Sequence, residues 1–137
     1  MSIKQQSEFF GRPPIVVTLS DRQQLLALLQ TSSLGKDESA ARFLRQELKR
    51  ADIGPEDVPD RLVVRMGCEV KFIEHGRTRA QCGRLVYPDE VEDKHCISVL
   101  STVGSALIGL GPGQSIGWIE QGAERKLTVL QITNDPQ

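Results

Sequence analysis

Hydrophobic and polar positions along the 137-residue chain change their period part-way, and the change divides it into two stretches. Ile15 to Leu19 follows Pro13-Pro14, is rich in β-branched residues and predicts a strand. From Ser20 the repeat becomes helical. Leu25, Leu26, Leu28 and Leu29 supply an apolar face through Gln30, Ser20 is placed to cap the helix, and Gln23 stands three residues on as a capping-box partner. Thr31 to Gly35 reads as a turn. A second helix is predicted from Asp37 to Asp52, with a seam of Ala40, Phe43 or Leu44, Glu47 or Leu48, and Ala51. Asp37 and Glu38 sit at its positive end, and Lys49 and Arg50 at its negative end. Two helices joined by so short a turn predict an antiparallel hairpin, ended by Ile53-Gly54-Pro55.

Beyond a linker over 54–60 the pattern alternates with period two. Val64, Met66, Cys68, Val70 and Phe72 or Ile73 share one face and Arg65, Glu69 and Lys71 the other, which predicts a half-buried antiparallel strand. Glu74 to Arg77 reads as a turn, 78–87 as the return strand stopped by Pro88, and 97–100 as a further strand. Ser105 to Leu110 is a short apolar helix, stopped by Gly111-Pro112-Gly113, that burial must stabilise because so short a helix does not nucleate alone. Ser115–Glu120 and Lys126–Thr133 form a closing hairpin around 121–124. The sum predicts an α+β fold: a short antiparallel N-terminal helical hairpin, then a five-or-so stranded, mostly antiparallel sheet with one short helix on its face. Residues 1–14 read as a flexible leader, 15–53 as strand plus hairpin, and 60–134 as the sheet domain.

Charge and composition narrow the function. Seventeen basic against 18 acidic side chains leave a net charge of -1, which gives no general attraction to nucleic acid or anionic lipid. The chain has no signal-like opening and no apolar run of the roughly 18 residues a membrane span needs, so a cytoplasmic protein without membrane contact is expected. Cys68, Cys82 and Cys96 include no close pair and read as reduced, buried small hydrophobes, so neither a disulfide framework nor a metal site is expected.

Candidate catalytic groups give way one by one to simpler roles. Gly104, Gly109, Gly111 and Gly113 do not follow the grammar of a phosphate-binding loop, and Ser101, Ser105 and Ser115 lack a nucleophile elbow. The acid pairs Asp37-Glu38, Glu56-Asp57 and Asp89-Glu90 lie at helix starts or turns, where acids cap and solubilise. Arg42, Arg45, Lys49 and Arg50 make a basic helix side without the interleaved aromatics that bind single strands, so a solvated face is the simpler reading than direct DNA binding. No enzyme, cofactor or metal is expected.

One run of residues carries more specific information. Ile97-Ser98, then Ser101-Thr102-Val103-Gly104-Ser105-Ala106-Leu107-Ile108-Gly109, Gly113-Gln114-Ser115-Ile116 and the closing Leu127 to Ile132 together resemble the C-terminal domain of the GreA/GreB transcript cleavage factors. Arg12-Pro13, Ile15, Val70-Lys71-Phe72, Leu85-Val86-Tyr87-Pro88 and Trp118 extend the resemblance, more closely, to the Rnk family of regulators of nucleoside diphosphate kinase. It covers about 12 to 133.

The resemblance implies an FKBP-like sheet domain without prolyl isomerase activity, which docks on bacterial RNA polymerase beside the secondary channel. Ser101, Thr102, Val103, Gly104 and Ser105 would form the contact, although Thr102 replaces the usual Pro, and Gln114 the usual Asp. In cleavage factors a long coiled coil carries tip acids that help hold a catalytic magnesium. Here the longer helix, of about 16 residues, would reach only some 25 Å. Asp37 and Glu38 at the hairpin tip also lack the spacing of the cleavage motif. The expectation is a non-catalytic regulator of transcription elongation that competes with cleavage factors for the polymerase. The alternative is a regulator of nucleoside diphosphate kinase, or of nucleotide metabolism, acting through protein contact.

Overall fold

A computed structural model describes residues 12–31, 38–59 and 61–133. Most of the leader, the predicted turn beyond Thr31, Asp37 and Asp60 lie outside the described residues, and Thr31 itself belongs to the first helix. The fold is α+β. Strand β1 (Val16–Thr18) runs straight into helix α1 (Leu19–Thr31), and helix α2 (Glu38–Arg50) into strand β2 (Asp52–Gly54). β1 and β2 pair in parallel, with Val17 opposite Ile53. The sequence pattern marked 53–55 only as a helix stop, because a three-residue strand with an exposed Ile53 carries no alternation to read.

The start of α1 corrects the predicted cap. Thr18, still extended at the end of β1, accepts the Asp21 amide on its hydroxyl at 3.2 Å, so the helix begins before Ser20. Ser20 turns outward instead. Its hydroxyl and its amide donate to the two oxygens of Glu56, at 2.6 and 3.0 Å. These two bonds, side chain first, hold the Glu56 carboxyl below its ordinary value of 4.5. A depressed folded-state value contributes stability above the unfolded pKa and loses it as pH falls through the folded one. Glu56→Gln should therefore lower the melting temperature at neutral pH, and the gap from the parent should close as a pH series descends below about 4.5. A gap that stays constant to pH 2 would contradict the capping role.

Five strands form the main sheet: β3 (Glu69–Glu74), β4 (Gln81–Val86), β5 (Cys96–Ser98), β6 (Ser115–Glu120) and β7 (Ala123–Thr133). Their order is β5-β4-β3-β7-β6, antiparallel throughout except for the parallel β4–β5 pair. β3 starts five residues later than the alternation from Val64 predicts. Val64 lies in a connecting segment, donating its amide to Leu110 and accepting from Gly109, and Gly67 turns the chain at φ 89° before the strand begins. β7 starts earlier, at Ala123, because Gln121 (φ 53°) and Gly122 (φ 82°) alone make the two-residue hairpin turn. Helix α3 (Thr102–Leu107) also starts earlier than its apolar run, since Ser101 caps it.

A single apolar cluster joins the two stretches. Leu25 and Leu29 of α1 and Phe43, Leu44 and Leu48 of α2 are buried together with Val70, Phe72, Leu85, Leu127 and Val129 of the sheet. Leu107, Ile108 and Leu110, at and after α3, complete it, which supplies the burial so short a helix requires. Tyr87 adds a polar tie on the outside, donating its hydroxyl to Gln24 of α1 at 2.7 Å. Burial, with Asp21 and Glu90 nearby, pushes that phenol up to about 12.

Candidate functional site at the junction of α2, α3 and β6

The five residues predicted to meet a partner do not share one environment. Ser101 accepts the Gly104 amide at 3.0 Å and gives its own proton to the Ser98 carbonyl at 2.7 Å, so its side chain is occupied in shaping the turn. Thr102 is partly exposed and donates to Glu120 Oε1 at 3.1 Å, while Val103 is partly exposed and rests against the core. Gly104 and Ser105 are buried. The Ser105 hydroxyl lies 2.9 Å from the Val99 carbonyl and 3.2 Å from that of Ala40 on α2. A side chain sealed in this way holds α3 against α2, and only Ser101 to Val103 can be presented outward. Glu38 is exposed in the first turn of α2, 3.9 Å from Arg42.

Beside Thr102 opens a groove of about 280 Å³ between α2 and the end of β6, walled by Arg12, Arg42, Phe43, Thr102, Trp118 and Ile119 among others. Its aromatic floor is held from both sides. The Arg12 guanidinium stands 4.9 Å over the Phe43 ring, Phe43 lies 5.9 Å from Trp118 at a tilt of 43°, and the Arg125 guanidinium stands 5.4 Å over Trp118. Glu120 ties the strand to this stack, since one of its oxygens accepts from Trp118 Nε1, Thr102 and Arg125 at 3.1, 3.1 and 2.8 Å. Arg125 gives its other arm to the buried Glu74 at 2.6 Å.

Behind the groove, Glu47 is fully buried, bound by two bonds to Arg50 (2.7 and 3.0 Å) and by a longer one to Arg12 (3.4 Å). Sequence reading placed Glu47 on the helix seam without explaining a buried acid. The explanation lies in Arg50, one turn on in the same helix, and in Arg12, 35 residues earlier, which no periodicity connects to it.

The thiols also depart from expectation. Cys68 is buried as predicted, but Cys82 on β4 is exposed and Cys96 half-buried, and none of the three forms a disulfide. Among the described residues, no group of three or more His, Cys, Asp or Glu side chains converges as a metal site would require. No helix among them is long and apolar enough to cross a membrane.

Two family models divide the chain where its hydrophobic period changes. Residues 59–134 match "Transcription elongation factor, GreA/GreB, C-term", and residues 13–53 match "Rnk N-terminus". The chain belongs to the GreA/GreB C-terminal family. It is 33% identical to "Regulator of nucleoside diphosphate kinase" of Escherichia coli strain K12 over 130 residues, which cover 93% of this chain and 94% of that protein. The same figures hold for the protein of that description from Shigella flexneri. Among solved structures, a "Prokaryotic transcription elongation factor GreA/GreB from Nitrosomonas europaea" shares 32% identity and superposes with a TM-score of 0.68, covering 89% of this chain and 99% of that one.

Proposed function

We propose that the protein is a non-catalytic regulator of transcription elongation. It binds bacterial RNA polymerase beside the secondary channel through the FKBP-like sheet domain, with Ser101, Thr102 and Val103 as the outward part of the contact. The observation that carries this reading is the joint match of both stretches, with near-complete coverage of a relative described as an elongation factor. Helix length argues for regulation without cleavage. Each of α1 and α2 has 13 residues, about 20 Å at 1.5 Å per residue, where the sequence pattern predicted about 16 for the second, and either makes a short arm for delivering acids to a distant reaction centre. In this reading the two helices form a stub hairpin, Glu38 lies near its tip, and the protein occupies the docking surface that cleavage factors use.

Core polymerase should co-purify with the folded protein at micromolar concentration, and backtracked elongation complexes should keep their transcripts at full length when it is added. Thr102→Glu, which places a charge at the outward face of α3, should weaken binding by about tenfold or more with an unchanged circular dichroism spectrum. Absence of binding by the folded protein would refute the reading, and transcript shortening would refute its non-catalytic part. A second reading rests on the printed description of the Escherichia coli relative: a contact with nucleoside diphosphate kinase itself. A change in the activity of that purified kinase on addition of this protein, without polymerase, would favour it.

A further inference from the structure

The two edges of the main sheet are treated differently. β5 is three residues long, and shortness is one of the ways folded proteins blunt an edge against further pairing. β6, at the other end of the order, runs for six residues as Ser-Ile-Gly-Trp-Ile-Glu, pairs with β7 in unbroken register, and carries no proline, lysine or bulge. Its outer side pairs with no strand among the described residues. Ile119, in its second half, is 59% exposed. Its neighbour Trp118 points to the opposite face and meets Phe43, so α2 stands over one side of this edge and Ile119 marks the other.

The wall that α2 and Arg12 give to the adjoining groove is positive. Arg42 is mostly exposed and has only Glu38, at 3.9 Å, as an ion-pair partner among the described residues. Arg12 has its Nε buried without a partner among the described residues, and it shares Glu47 with Arg50, so those three side chains carry one positive charge in excess. Glu120, the acid on the other wall, is already committed to Trp118, Thr102 and Arg125. An entering carboxylate therefore meets unused cationic donors, whereas an entering cation meets an acid that is taken.

We infer that β6 and the groove form a docking edge for an extended, acidic segment of a partner protein, which adds to the sheet as a strand beside β6. Main-chain hydrogen bonds to the open edge supply affinity, and alternate side chains supply selectivity. In such a strand one set of side chains falls on the α2 side, where Asp or Glu reaches Arg42 and Arg12. The other set lies beside Ile119, where Val or Ile covers its exposed apolar surface. The recognised chemistry is thus an alternation of acids and β-branched residues. A second copy of the chain is the poorer occupant, since β6 paired with its own copy brings two Arg42-bearing walls to one junction, and like charges repel. The edge takes an acidic strand whether or not Ser101 to Val103 meet polymerase, so the two readings stand or fall separately.

The test uses the full-length protein without polymerase and a synthetic peptide, acetyl-Thr-Val-Asp-Val-Asp-Val-Thr-amide, beside a counterpart with Lys in place of both Asp. The acidic peptide is expected to change the fluorescence of Trp118, the only tryptophan of the chain, in a saturable way, and to slow amide hydrogen exchange within Ser115–Glu120. Arg42→Glu, at an exposed position, should weaken the acidic peptide by about tenfold with an unchanged circular dichroism spectrum, and should tighten the lysine counterpart. N-methylation of alternate peptide amides, which removes the donors to the edge, should abolish binding. Absence of binding by the folded parent at millimolar peptide, equal affinity for the acidic and lysine peptides, or undiminished binding of the N-methylated peptide overturns the inference. Protection of β6 that rises with protein concentration in the absence of peptide also overturns it, by assigning the edge to a second copy of the chain.

Discussion

Gly104→Ala should lower the melting temperature by about 10 °C, an effect opposite in sign to helix propensity. Alanine is the better helix former by about 1 kcal/mol, so a glycine in α3 looks like a site for easy improvement. The tertiary contact decides otherwise. A Cβ at position 104 would lie 2.0 Å from the Ser98 carbonyl oxygen and 2.9 Å from Val99 Cα, both backbone atoms that no rotamer change can withdraw. Relieving that overlap requires α3 to lift from the segment entering it, and overpacking of this severity costs about 3 kcal/mol or more, which outweighs the propensity gain. The same lift would disturb the Ser101 cap and the Ser105 hydroxyl, which join this segment to Ser98, Val99 and α2. Thermal melts of parent and variant check the prediction. A variant as stable as the parent would show that α3 is not seated as described, and the proposed presentation of Ser101 to Val103 would fall with it.

Arg50→Ala should cost about 3 kcal/mol, because it strands a buried carboxylate. Glu47 is fully buried and relies on the paired bonds from Arg50, with only the 3.4 Å contact to Arg12 remaining once that arginine is gone. Arg50 itself is partly exposed, which keeps the loss near the lower end for a broken buried pair. It also donates to the Pro13 carbonyl at 2.6 Å, so its removal frees the chain entry that positions Arg12 at the groove. Urea unfolding should show a lower midpoint at unchanged slope. The double variant Glu47→Leu/Arg50→Leu should recover most of the loss, since replacing both partners by apolar groups removes the stranded charge. If the double variant is as unstable as the single one, packing by the arginine stem, rather than the ion pair, carries the effect.

How much of this was legible in the sequence depended on the range of the interaction. The inner faces of α1 and α2 were readable because helical periodicity is a local property: leucines three and four residues apart fall on one side whatever they pack against. β6 was legible to the residue, since Ser115 to Glu120 is bounded by a glycine-rich turn on one side and a hairpin glycine on the other. The strand expected from Val64 failed for a related reason. Alternation also arises where a connecting segment is pinned to the core, and Val64 bonds the chain after α3 instead of a neighbouring strand. The cap of α1 was misplaced by two residues because Thr18 and Ser20 are both competent caps, and only the position of Glu56 decides which hydroxyl turns inward.

The candidate site was legible in part. The 101–105 segment drew attention through its resemblance to a family, yet the division into an outward face and a buried seat depends on α2 lying against α3, with Ala40 beside Ser105. Arg12, Phe43 and Trp118 are separated by 31 and 75 residues along the chain, and no spacing rule brings them into one stack.

By itself, the sequence determined the α+β class, the order of most elements, the apolar faces and the family, because each follows from neighbouring residues or from motifs read in line. Tertiary structure alone decided the parallel pairing of β1 with β2, the burial of Glu47 between two arginines and the groove at β6. Those features depend on desolvation and close contact between residues distant in the chain, which exist only once the layers have packed.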